Sequence, residues 1–162
     1  MVTAPAGGAG VGTGAALNTL DVAAGRDDHR TMSLDRPFLD LTSMTVSCPA
    51  PRKLASFYAT LLGGTITGDE PGLPGEPEEA GWAQVATDRL RLNFEYERCW
   101  TPPVWPAVEG RQTATQHLDI HVHDLATAVE WAVSCGASEA SFQPQDDVRV
   151  MLDPVGHPFC LF

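Results

Sequence analysis

Apolar side chains recur along this chain with two different periods, and the order in which those periods alternate is the first clue to its architecture. LTSMTVSC (41–48) is predicted as a strand. PRKLASFYATLLGG then sets Leu54, Phe57, Tyr58, Leu61 and Leu62 at i, i+3, i+4, i+7, i+8, with Pro51 in the first turn and Gly63 at the end. That is an amphipathic helix with its start and stop signals in place. The same order returns later: a strand over 116–123, Asp124 as helix cap, then Leu125, Ala128, Val129, Ala132 and Val133 on one face up to Gly136. TIT, WAQVAT and LRLNFEYE follow the first helix as strand candidates, and SFQ, VRVML and PFCLF follow the second. Each half therefore reads β-α-β-β-β, a duplicated module whose sheets share one site.

Residues 1–37 break this pattern. They are rich in Gly and Ala and carry no sustained period, so they cannot bury enough surface to order themselves and are expected to be a dispensable, disordered extension. GGAGVGTG imitates a dinucleotide loop, but no hydrophobic strand precedes it. Met32 is an alternative translation start. The folded domain is expected over 38–162, with modules of about 38–106 and 107–162.

Chemistry-bearing residues concentrate in QHLDIHVHDL (116–125). On a strand, His117, Asp119, His121 and His123 share one face while Leu118, Ile120 and Val122 share the other. LRLNFEYE alternates likewise, placing Phe94 under the helices and Asn93 and Glu95 in the sheet concavity. His123, beside the cap, is read as solvated or capping. Trp100 and Trp105 are the preferred aromatic pocket residues, the latter held by the prolines of TPPVWP, although a rigid loop or subunit contact would explain that segment equally well. Cys160 with His157 or His117 forms a conceivable thiol and base, but a cysteine between Phe159 and Leu161 is more often a small hydrophobe. Asp153 in DPVG is assigned to a turn, and the acidic loop 68–81 to a solvated linker or a cover over the site.

Composition narrows the classes. The chain has 162 residues, 43% hydrophobic and 19% charged, enough for one soluble domain. A formal charge of -11 opposes nucleic acid and anionic membranes as partners. Four cysteines without a C-x-x-C pair fit reduced thiols in the cytoplasm, and neither a membrane span nor a signal peptide is apparent.

CPAPRKLASFYATLLGG, QHLDIHVHDLATAVEWAVSCGA and the ending LDPVGHPFCLF together resemble the glyoxalase, bleomycin-resistance and dioxygenase superfamily, the vicinal oxygen chelate fold. PPVWP (102–106) is similar to a glyoxalase-like subgroup of it. The resemblance covers about 38–162 and implies an α+β fold: two tandem βαβββ modules forming a curved, partly closed mixed sheet with helices outside.

In metal-dependent relatives, the resemblance implies a divalent ion held in the concavity by both modules, acting as a Lewis acid on substrate oxygens. The matching positions here are Ser43, Glu95, His117 and Cys160. Only His117 and Glu95 are ordinary ligands, with Cys160 as a thiolate and His121 or Asp119 as conceivable substitutes; catalytic sites usually offer about three protein ligands. The expectation is therefore a homodimeric protein that binds a small organic molecule through His117, Glu95, Asn93, Asp119, Trp105, Trp100 and Cys160, with no cofactor. A metal-dependent lyase, isomerase or dioxygenase is the alternative, and a protein-interaction module a third.

Overall fold

The computed structural model describes residues 37–162; the expectations for the N-terminal extension lie outside them. Leu39–Phe162 forms one compact unit. Its elements run β1 (Ser43–Cys48), α1 (Pro51–Leu62), β2 (Thr65–Pro71), β3 (Gly81–Ala86), β4 (Arg91–Tyr96), β5 (Leu118–Ile120), α2 (Leu125–Cys135), β6 (Ser138–Glu139), β7 (Arg149–Leu152) and β8 (Pro158–Leu161). The fold is α+β and duplicated, as the two periods predict.

The strands form two four-stranded sheets with matching orders, β1-β4-β3-β2 and β5-β8-β7-β6, and neither closes into a barrel. In each, the first strand of the module runs parallel to the last and the remaining pairs are antiparallel. β1 and β5 are consequently edge strands, each with one side of its backbone free of a ladder.

Period-2 patterning decides which face meets the helices. Leu92 and Phe94 of β4 are buried while Asn93 between them is only half-covered and Glu95 is exposed. Phe94 stacks on Tyr58 of α1 with ring centroids 5.4 Å apart, and Phe57 and Phe159 extend the aromatic cluster into the second module. Leu118, Ile120 and Val122 pack against this core as expected, each only partly buried. α1 ends where Gly63 turns left-handed (φ 66°), a conformation that costs glycine little. Asp124 caps α2 by accepting from the Thr127 amide at 2.7 Å.

Four expectations need correction. The strand predicted over 116–123 shrinks to Leu118–Ile120, because its partner β8 is four residues long and begins at Pro158, which has no N–H to give a ladder. SFQ (141–143) is not a strand; β6 precedes it at Ser138–Glu139. The Gln143 amide instead does the work of a strand, accepting from Val150 N at 2.8 Å and donating to the carbonyls of Val150 (3.0 Å) and Ala140 (2.8 Å). β2 runs beyond TIT through Gly68–Pro71, into residues assigned to the acidic loop. Gly68 permits this pairing, since a Cβ there would lie 2.2 Å from the Trp82 ring. Finally, Val133 is half-exposed on α2, whereas Ala132 is fully buried.

Candidate functional site

A cavity of about 240 Å³ opens where the free edge of β1 meets residues 112–118, the approach to β5. Met44 to Ser47 of β1 form one wall; Trp100, His117 and His157 bring aromatic and imidazole surface to it. It is a gap between two sheet edges. Of the predicted site residues, Trp100 and His117 line it, while Asn93, Glu95, Asp119, Trp105 and Cys160 do not. Nor does the acidic loop 68–81.

His157 is held there by Asp153, the residue read from sequence as a turn former. That role is present, for the DPVGHP turn closes through Gly156 N to Asp153 O (3.0 Å) and Asp153 N to His157 O (2.9 Å). The carboxylate does more. Only 4% exposed, it accepts from Val155 N (3.0 Å), His157 N (2.9 Å) and the Tyr58 hydroxyl (3.1 Å), and its Oδ2 lies 2.8 Å from His157 Nδ1. A buried carboxylate saturated with donors has its polar atoms satisfied and fixes its partners. Burial, reinforced by that anion, pushes the Tyr58 hydroxyl well above its usual range, so it stays a donor. Trp100 lies against the imidazole with ring centroids 4.6 Å apart. Sequence reasoning named His157 only as a conceivable base for Cys160 and missed the carboxylate and phenol that hold it, because Tyr58 and Asp153 meet only in three dimensions; the DPVGHP phrase alone held a signal, an aspartate four residues before a histidine across a tight turn.

The second group is His117, Asp119 and Cys160. Their ligand atoms lie within 4.8 Å of one another, with His117 Nε2 3.2 Å from Asp119 Oδ1. Residues two apart on an extended chain have distant backbones, yet their side chains converge here. The Cys160 thiol is raised by burial and then by Asp119, which favours S–H over the thiolate that binds metal.

The third group belongs to the first sheet. Thr67 donates to Gln84 Oε1 (2.8 Å), Gln84 Nε2 to Asn93 Oδ1 (2.8 Å), and Asn93 Nδ2 to Thr45 Oγ1 (3.4 Å), a polar relay across β2, β3, β4 and β1. Beside it, Ser47 Oγ donates to Glu95 Oε1 at 3.1 Å. Asn93 and Glu95 are thus engaged within their own sheet. Trp105 donates its indole N–H to Phe142 O at 3.2 Å, pinning the PPVWP segment to the 140s loop.

These groups test the shared metal arrangement that the resemblance implies. It does not fit: Ser43 offers only a hydroxyl, Glu95 is held by Ser47 and stands outside the cluster, and the three donors that converge all come from the second module.

Over residues 43–162 the sequence matches the family described as glyoxalase-like domain. The chain belongs to that family. The architecture is that of the vicinal oxygen chelate fold, as the sequence resemblance implies. Solved structures agree on the fold. A glyoxalase family protein from Enterococcus faecalis superposes with a TM-score of 0.55 at 16% identity, covering 76% of this chain and 97% of its own. A glyoxalase/bleomycin resistance protein/dioxygenase family enzyme from Burkholderia phytofirmans PsJN gives 0.53 at 14% identity, covering 76% and 97%. The fosfomycin resistance protein FosX from Mesorhizobium loti gives 0.54 at 9% identity, covering 77% and 92%. At such identities the likeness is one of fold, and chemistry must be argued from the site. No curated protein matches the sequence. Among the described residues, no helix is long and apolar enough to cross a membrane.

Proposed function

We propose that this glyoxalase-like protein binds a small organic molecule in the gap between the β1 and β5 edges, without the two-module metal site of its metal-dependent relatives. The cavity carries the reading: about 240 Å³ with an indole, two imidazoles and a free strand edge is a small aromatic-lined pocket with a few convergent polar groups. Four free cysteines fit a reducing compartment, and the charge of -11 argues against nucleic acid and anionic membranes as partners. A homodimer remains the assembly we propose.

Fragment titration followed by NMR tests the pocket. Single-ring aromatic fragments should shift the Trp100 indole and the His117 and His157 rings together; a panel that leaves all three unmoved would end the reading.

Convergence of His117, Asp119 and Cys160 favours a second reading, a metal-dependent lyase, isomerase or dioxygenase using a one-sided nitrogen, oxygen and sulfur donor set. Elemental analysis of untagged protein separates the two. About one tightly held divalent ion per chain, lost in His117→Ala, would displace the metal-free proposal.

A further inference from the structure

The Asp153 and His157 pair suggests what kind of molecule the cavity takes, and this step rests on the pocket reading above. Every hydrogen-bond role of the Asp153 carboxylate is that of an acceptor, so the Nδ1 it touches at 2.8 Å carries a hydrogen. A neutral imidazole protonated at Nδ1 has a bare lone pair at Nε2. Among the described residues Nε2 meets no hydrogen-bond partner, and it is not sealed off, since no buried side-chain nitrogen or oxygen there lacks one. The side chain is 19% exposed and its ring lines the cavity. Nε2 is thus a fixed acceptor in contact with whatever enters.

We infer that His157 is the proton acceptor of the cavity and that its ligands are small, flat, weakly acidic molecules bearing an O–H or N–H, of the phenol or enol class. The ligand's hydrogen bonds to Nε2; on transfer, its O–H bond breaks, the electron pair stays on oxygen and the proton forms an N–H on the imidazole. The resulting imidazolium keeps its Nδ1–H on Asp153, so a carboxylate already in place balances the new charge. Trp100 offers an aromatic face beside the ring for a planar partner, and the volume suits a molecule of one or two rings. Tyr58 fixes the carboxylate from behind and Asp153 acts only through His157, so both are positioning residues.

The test uses the full chain with two probes of similar shape, 4-nitrophenol and nitrobenzene, titrated by calorimetry and absorbance. The phenol should bind about tenfold or more tightly than nitrobenzene, as a hydrogen bond to an ionisable partner warrants, and should show its phenolate band at a pH where the free probe is mostly phenol. His157→Gln, whose amide oxygen accepts a hydrogen bond but takes no proton, should abolish the phenolate band and shrink the preference for the phenol. Equal affinity for the two probes, or a phenolate band that survives in His157→Gln, would overturn the inference and leave the pocket standing. Failure of both probes to bind at all would remove the pocket reading, and the inference with it. A ligand-free check stands apart from both: long-range proton–nitrogen NMR of the neutral ring should show the hydrogen on Nδ1, and a hydrogen on Nε2 instead would also overturn it.

Discussion

The hydroxyl of Tyr58 in α1 donates to Oδ2 of Asp153, 3.1 Å away and 95 positions further along the chain. This bond crosses from the first module to the second and ends on a carboxylate that also orients His157 toward the cavity. A single buried polar contact therefore joins the packing of the two halves to the geometry of the site.

Removing that hydroxyl should be felt in stability. Tyr58→Phe leaves the ring stack on Phe94 intact but strips one donor from a buried anion, which should cost about 1.5–3 kcal/mol in urea denaturation. An unchanged denaturation midpoint would show that the carboxylate draws no net stability from the phenol.

The two faces of β4 should answer mutation differently. Phe94→Ala opens a cavity in the centre of the aromatic cluster and should cost about 3–5 kcal/mol, whereas Glu95→Ala on the opposite face should stay within about 0.5 kcal/mol. Comparable losses for both would contradict the observed register.

Alkylation should rank the cysteines. Burial foremost, with help from Asp153 and Glu95 and against a backbone hydrogen bond at Ala50, pushes the Cys48 thiol up to about 12. From its ordinary value of 9.0 that means about a thousandfold less thiolate at neutral pH. Iodoacetamide with peptide mapping should label exposed Cys99 first, Cys160 more slowly because burial and Asp119 raise it, and Cys48 only on unfolding. Early labelling of Cys48 would refute its enclosure.

The α2 cap should titrate. Hydrogen bonding from the Thr127 amide holds the Asp124 carboxyl below its ordinary value of 3.8, so its contribution is fully present above that value and is lost as pH falls through the lower folded one. Asp124→Ala should melt at a lower temperature than wild type at neutral pH, and the gap should narrow as the solution is acidified below about pH 4. A gap independent of pH would mean the charge is irrelevant to the cap.

Local pattern was enough for the duplicated βαβββ order, the two helices with their caps, and the split of Phe94 from Glu95, because 3.6- and 2-residue periods and capping chemistry act between near neighbours in sequence. It was enough for the family too, since LDPVGHPFCLF and QHLDIHVHDL are contiguous phrases. Strand lengths were less legible: β5 is limited by the partner it finds in β8, and the stretch expected as a strand at 141–143 gave way to the side chain of Gln143. The site was least legible of all. Asn93 meets Gln84 and Thr45 only once strand register is set, and His157 becomes a directed acceptor only once Tyr58 and Asp153 are brought together. Hydrogen bonds are short and directional, so which polar groups satisfy one another is decided by the packed arrangement of both modules, after local sequence has chosen the elements.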